Sequence, residues 1–258
     1  MLLEKTPERV RTALALAAST ALAPLIVAAA AEVSRRTCVN AMSVRNDGSW
    51  YAIADLLTGA VDATFCDIDF DDSQTELISY PVVAFTLAFI ANPSACVPGL
   101  STAQLRDILT GRVYNWAQVG GADCPVRLIN RNEASGVRSI VEQLALRNRS
   151  IVNGDRTVDS NRVAALQVQK THGAFSYVAL PGVRDLDIAH VAIDDVPPRN
   201  KNVLAGTYPF WACGRVLAWR DLQRPVLSFV DRLVYESDLC DLLGYIRLNR
   251  MTCSAKQA

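Results

Sequence analysis

Histidine is scarce in this chain: there are two in 258 residues, His172 and His190. That leaves little room for a His-rich metal centre or a His-dependent catalytic triad. An excess of charge of either sign is also missing, because 26 basic side chains balance 26 acidic ones and the formal net charge is zero. A nucleic-acid binder would carry a basic excess or stripe, so the balance argues against that class. The seven cysteines (Cys38, Cys66, Cys96, Cys124, Cys213, Cys240 and Cys253) contain no C-x-x-C pair, which argues against structural zinc and dithiol redox motifs. Their odd number leaves at least one thiol free or paired outside the chain. The count alone fits either a secreted protein with a few disulfides or a cytosolic one with buried thiols. The sequence holds no Gly-x-Ser-x-Gly elbow, Walker loop or metal-ligand spacing, and no internal repeat or low-complexity tract.

Half of the chain is apolar and one fifth is charged, a balance that excludes a disordered protein. At roughly 150 residues per domain, the length allows one large domain or two modest ones, with enough core to fold without cross-links. Near the N-terminus, residues 13–31 carry no charge and follow Lys5, Arg9 and Arg11, which reads like an export signal or a membrane span. The stretch is built largely of alanine and is interrupted by Ser19, Thr20 and Pro24. A second reading, which these breakers favour, is a buried strand over residues 10–18, a turn at Ser19-Thr20, and a helix over residues 21–33 with Pro24 in its tolerated first turn. On that reading the chain as given shows no clear signal peptide.

The strand–turn–helix unit recurs. A strand over residues 39–44 leads to Asp47-Gly48-Ser49 and a helix over residues 50–58 closed by Gly59. A β-rich segment then ends in Asp67 and Asp69. Residues 80–92 read as a long buried strand stopped by Pro93. Ser101-Thr102 caps the helix AQLRDILTG; PVRLINR is a strand, and Ser135-Gly136 opens another helix. This alternation predicts an α/β protein with largely parallel sheets. Residues 194–202, with two prolines, form the most linker-like stretch.

Three serine turns, Ser19-Thr20, Gly48-Ser49 and Ser135-Gly136, thus sit between a strand and a helix. The first turn of a helix presents unpaired N–H groups at a positive dipole end, and small hydroxyl residues add donors without blocking approach. Such turns suit tetrahedral oxyanions. Each serine taken alone is more simply an N-cap. Three of them, with Arg131 four residues before Ser135, narrow the gap between the two readings.

Residues 100–139, LSTAQLRDILTGRVYNWAQVGGADCPVRLINRNEASGVRS, resemble the periplasmic phosphate-binding proteins of phosphate ABC transporters. That family carries L-T-x-x-Q-L-R-D-I-x-x-G-x-x-x-N-W, then G-G, then S-R-x-x-G-S-G-T. ASTALAPL resembles its first anion turn, and NDGSWYAIADLLTGAVDATFCDID its second turn with the strand that follows. HGAFSYVAL, AGTYPF and DLLGYIRL resemble later landmarks, so the likeness spans nearly the whole chain. It implies an α/β, two-lobed periplasmic-binding-protein-like fold of type II with a ligand cleft between lobes joined by two crossing segments. Residues 1–82 and 205–258 would form the first lobe and residues 83–204 the second, with crossings near residues 80–85 and 194–206.

Carried over residue by residue, the resemblance places phosphate contacts on Thr20, Ser49, Asp67, Arg131, Ser135, Gly136 and Val137, with Glu133 as the acid bracing Arg131. The chemistry is coherent. Thr20, Ser49 and Ser135 offer hydroxyl and backbone donors, while Arg131 offers a permanently charged bidentate partner for a dianion. Asp67 can accept a bond from the P–OH of hydrogen phosphate. Fully ionised sulfate has no such proton and is repelled, and a buried acceptor left unpaired costs about 1–3 kcal/mol. The chain departs from the family at Val137, which stands for a threonine, and at Ala134, which stands for a glycine. Ser19 occupies a position where glycine or alanine is usual, and Trp50 is bulky beside the second turn. These departures predict weaker phosphate affinity than a full donor set would give.

The expected function is therefore that of a non-enzymatic solute-binding protein, periplasmic or extracellular, that captures inorganic phosphate for the permease of an ABC importer. It is expected to be a monomer with no cofactor, metal or nucleic-acid partner. A module of the same architecture that signals oxyanion occupancy to a partner protein is the alternative. A phosphoester-cleaving enzyme is the third reading, and it lacks a nucleophile–base pair. Other readings are simpler. Cys66 is a packed thiol and Trp116 a core anchor. Asp69, Asp71 and Asp72 form a solvated loop without Ca²⁺-ligand spacing, and Cys96 with Cys124 is a candidate disulfide flanking the family-like block.

Overall fold

Runs of small and β-branched residues bounded by Gly, Pro, Ser and Asp divide the chain into short strands and helices, and the computed structural model bears this out for residues 14–37, 43–70, 76–186, 188–236 and 238–248, the ones it describes. In chain order these are β1 (Ala15–Ser19), α1 (Ala23–Thr37), β2 (Ser43–Asp47), α2 (Ser49–Leu57), β3 (Ala63–Cys66), β4 (Leu77–Ala91), α3 (Thr102–Leu109), β5 (Arg127–Arg131), α4 (Gly136–Leu146), β6 (Arg156–Val158), α5 (Asn161–Lys170), β7 (Ala174–Ala179), β8 (Ala189–Val191), α6 (Asn200–Leu204), β9 (Trp211–Trp219), α7 (Gln223–Asp231), α8 (Leu239–Leu243) and β10 (Ile246–Arg247). The start of the first expected strand, most of the second, Asp71, Asp72, Cys38 and Cys253 lie outside the described residues. Among the described residues, no helix is long and apolar enough to cross a membrane.

The chain divides into two compact units, residues 1–84 with 213–258, and residues 85–212. Strands β4 and β9 carry the chain from one to the other. The linker-like stretch over residues 194–202 lies within the second unit and leads into α6.

In the first unit β2, β1 and β3 run parallel, with Ser19 opposite Asp47 and Ala18 opposite Phe65. β9 then adds antiparallel to β3, and β10 antiparallel to β4. The sheet is thus mixed rather than largely parallel, because strands arriving from later in the chain need no crossover helix when they run against their neighbours. Ala52, Ile53 and Leu56 of α2 pack over Ala17, Cys66, Leu217 and Trp219 of this sheet. Each large aliphatic side chain buried there contributes about 1.5–3 kcal/mol. α1 begins at Ala23, a turn later than Ser19-Thr20 as caps would place it, with Pro24 in the first turn as expected.

The second unit centres on β5, which pairs parallel with both β6 and β7; β7 and β8 run antiparallel to β4. α5 packs Ala164, Ala165 and Val168 on Ala88, Ile90, Ile129 and Val178. Ser101 caps α3 in a reciprocal box, its hydroxyl accepting from Gln104 N (3.1 Å) while Gln104 Oε1 accepts from Ser101 N (2.8 Å). Trp116 is fully buried, donates to Gly173 O (2.8 Å) and meets Phe175 edge-on, as a core anchor should. Gly173 has a φ of +69°, and a Cβ there would stand 2.3 Å from Pro125 O, so only glycine fits this turn.

Candidate functional site

At the C-terminal edge of the first unit's parallel strands, the chain leaves each strand through a polar turn. Ser19 ends β1 and Thr20 follows it, half-buried, in a turn closed by Leu22 N donating to Ser19 O (3.0 Å). Ser19 is 2% exposed, and its hydroxyl has no hydrogen-bond partner among the described residues. Strand alternation puts Ser19 on the same face as Ala17, the face covered by α2. Gly48 is the N-cap of α2 in extended conformation with no side-chain cap, so the hydroxyl of Ser49, the first helical residue, is not spent on capping. Instead it donates to Asp67 Oδ1. Both residues are buried, and Asp67 stands one residue beyond β3. A carboxylate has about four lone-pair positions, so the serine bond does not exhaust it as an acceptor.

Next to it, burial and then the Asp67 charge push the Cys66 thiol up to about 12, which keeps it protonated and inert at neutral pH. Cys66 donates to Ile68 O (3.7 Å), in keeping with a packed thiol. Asp69 is exposed, as a solvated loop residue should be, and also pairs with Arg215 of β9 (3.3 Å). Trp50, the residue after the buried Ser49, is 48% exposed.

In the second unit, the end of β5 and the start of α4 carry the other candidates. Arg131, the last residue of β5, is fully buried. Its Nη1 donates to Asn161 Oδ1 (2.8 Å) and its Nη2 to Asp159 O (2.9 Å). Its backbone N–H donates to Asn130 Oδ1 (2.8 Å), which also receives the Tyr177 hydroxyl (2.5 Å). A turn closed by Ser135 N donating to Asn132 O (3.2 Å) leads into α4. Ser135 is its N-cap: the hydroxyl oxygen accepts from Arg138 N (3.3 Å), which leaves the hydroxyl proton free to donate. Gly136 and Val137, the first two helical residues, are buried. Arg138 also ties the segment together, donating to Arg131 O (3.1 Å) and pairing with Glu142 (3.1 Å).

The structure therefore brings Ser49 to Asp67, and gathers Arg131, Ser135, Gly136 and Val137 at one strand–helix junction. Glu133 does not brace Arg131. It stands exposed on the Asn132–Ser135 turn, which directs its side chain to solvent, and Asn161 with the Asp159 carbonyl holds the guanidinium instead. Cys96 and Cys124 are free thiols rather than a disulfide, with Cys124 directed to Ser94 O and Cys96 to Pro93 O. Asn161 was not among the expected residues, although its signal was present. Ser160-Asn161 is a further serine-capped helix start after a strand, with Ser160 Oγ accepting from Val163 N (3.2 Å).

Comparison with known proteins places this geometry in context. A family model described as a PBP superfamily domain matches residues 4–213. The phosphate-binding protein PstS of Bacillus subtilis is 30% identical over 212 residues, covering 81% of this chain and 70% of the relative. PstS of Borreliella burgdorferi is 38% identical over 60 residues, 23% of this chain and 22% of that protein. Among solved structures, a substrate-binding protein from Clostridium perfringens, assigned to a phosphate ABC transporter and crystallised with phosphate, superposes with a TM-score of 0.83 at 21% identity over 91% of this chain and 99% of that one. An ABC-type phosphate transport receptor from Vibrio cholerae gives a TM-score of 0.72 at 21% identity over the same shares. At these identities the two structures speak to the fold alone, which is the type II periplasmic-binding architecture. Together with the family match and the Bacillus relative, they lead to one assignment: the chain belongs to the PBP superfamily, among the PstS-like phosphate-binding proteins.

Proposed function

We propose that this chain is a solute-binding protein that captures hydrogen phosphate outside the cytoplasm, in the periplasm or extracellular space, and presents it to the permease of an ABC importer. It works as a monomer by binding and hinge closure, with no covalent step. The observation that carries this reading is the fully buried guanidinium of Arg131, fixed four residues before the serine-capped start of α4. A permanently charged group buried at such a junction suits an anion that replaces its lost hydration.

On this reading Arg131, Ser135 and the backbone N–H groups of Gly136 and Val137 take phosphate oxygens from one lobe, and Thr20, Ser49 and Asp67 take them from the other. Asp67 accepts the ligand's proton, and that proton is what separates phosphate from sulfate. The sensing module considered from the sequence is not favoured, since the curated relatives are phosphate-binding proteins of the PstS type. Titration calorimetry of the protein, stripped of ligand by unfolding and refolding, tests the proposal. Phosphate should bind at one site and sulfate at least about tenfold more weakly, the difference set by one unpaired buried acceptor. Absence of phosphate binding at millimolar concentration would overturn it.

A further inference from the structure

We infer that Tyr245 is the positioning residue for the turn that carries Thr20: its phenol holds the Ala21–Leu22 peptide and keeps that turn out of α1. The inference deepens the proposed phosphate site and rests on it. Tyr245 is 2% exposed, and its hydroxyl donates to Ala21 O (2.6 Å). The N–H at the other end of the same peptide unit, that of Leu22, donates to Ser19 O (3.0 Å). This peptide plane is thus pinned at both ends, and it closes the four-residue turn whose second residue is Thr20. Tyr245 is itself fixed. Gly244 ends α8 in the left-handed region (φ +82°), Tyr245 N donates to Cys240 O (2.7 Å), and Ile246 enters β10 opposite Ala84 of β4.

The phenol stands where a helix would place one of its own bonds. In a regular helix Ala21 O would accept from Leu25 N. Here Leu25 N donates to Leu22 O (3.0 Å) and also to the phenol oxygen. A hydroxyl set into the ladder in this way makes α1 begin at Ala23 and leaves residues 19–22 as a separate turn. Burial pushes the pKa of the phenol up, so it keeps its proton and donates at neutral pH. Without the hydroxyl, Leu25 N is free to close on Ala21 O, which draws Ala21 and Thr20 into α1 and displaces the Thr20 donors. Binding groups must be held to within about 0.5 Å, so a turn that slips into the helix loses its aim at the anion.

Calorimetric phosphate titrations of Tyr245→Phe, alone and combined with Thr20→Ala or Ser135→Ala, test this, each run below the variant's melting temperature. Tyr245→Phe should bind phosphate about fivefold more weakly, the worth of one net hydrogen bond. Para-aminophenylalanine at position 245 keeps a donor at the same reach and should restore the affinity. The loss should shrink below about twofold in the Thr20→Ala background and stay whole in the Ser135→Ala background, because the phenol acts through the Thr20 turn and not through α4. Should Tyr245→Phe not fold, para-fluorophenylalanine, which fills the space of the hydroxyl but cannot donate, takes its place in the same titrations. Wild-type affinity without the donor overturns the inference. An equal loss in both backgrounds also overturns it, in favour of a purely structural bond. If Thr20→Ala itself binds as wild type, the contact proposed for Thr20 fails, and the inference fails with it for that separate reason.

Discussion

The two candidate clusters handle charge in opposite ways. In the first unit a buried carboxylate, Asp67, accepts a bond from a hydroxyl, Ser49, that starts a helix, and Ser19 contributes a second buried hydroxyl. In the second unit a buried guanidinium is held by a side-chain amide and a backbone carbonyl beside a capping serine. One cluster is rich in acceptors and adjustable hydroxyls, because a hydroxyl can rotate to give or to receive. The other is a rigid donor array whose charge is independent of pH. An anion that still carries one proton needs both kinds of surface, whereas a fully ionised one needs only the second. In the proposed site the contrast gives attraction to Arg131 and discrimination to Asp67, and each role can be broken separately.

The largest effect is expected at Arg131. If Arg131 holds the anion as proposed, Arg131→Ala removes two charge-assisted bonds to it, each worth about 1.5–3 kcal/mol. Phosphate affinity should fall by at least about a hundredfold. Sulfate should suffer in proportion, because attraction does not depend on the ligand's proton. Competition binding that shows phosphate spared while sulfate is lost would reverse the roles of the two clusters.

Asp67→Asn comes next and should act on selectivity more than on strength. The amide can still accept a bond, but it no longer repels a full dianion and can donate to it. The preference for phosphate over sulfate should shrink by about tenfold, measured by displacement of bound phosphate. Unchanged selectivity would remove Asp67 from its role and leave discrimination to the hydroxyls.

Much of this was legible in the sequence because it is written locally. The Ser101 box, the Ser135 cap, Gly48 at the start of α2 and the stop at Pro93 after β4 all depend on residues a few positions apart. What the sequence concealed depends on distant partners. Glu133 is close to Arg131 along the chain, and proximity favoured it as the brace, yet the turn carries it outward. Asn161, thirty residues further on, reaches the arginine only because β6 pairs with β5 and delivers the start of α5 to that strand's end. The mixed sheet was concealed for the same reason. Nothing in residues 211–219 states that they will run against β3. The free state of Cys96 and Cys124 is likewise a matter of where two side chains point, on which spacing is silent.

The smallest effect belongs to Val137, where the chain lacks a hydroxyl that its family's pattern supplies. Val137 is 1% exposed at the second position of α4, so its side chain sits in the first turn next to Ser135 and Gly136. Threonine has nearly the same shape, and a polar atom is tolerated there only if it finds a partner. Without ligand the new hydroxyl is a buried group in search of an acceptor, and Val137→Thr should lower the apo melting temperature slightly. With phosphate bound in the proposed site it would gain an anionic acceptor, and a net hydrogen bond of about 0.5–1.5 kcal/mol corresponds to an affinity gain of about twofold to twelvefold. The two shifts should therefore have opposite signs, a less stable free protein and a tighter complex. If calorimetry finds no gain in affinity, the side chain at this position does not reach the anion, and the contact proposed for Val137 is confined to its backbone N–H.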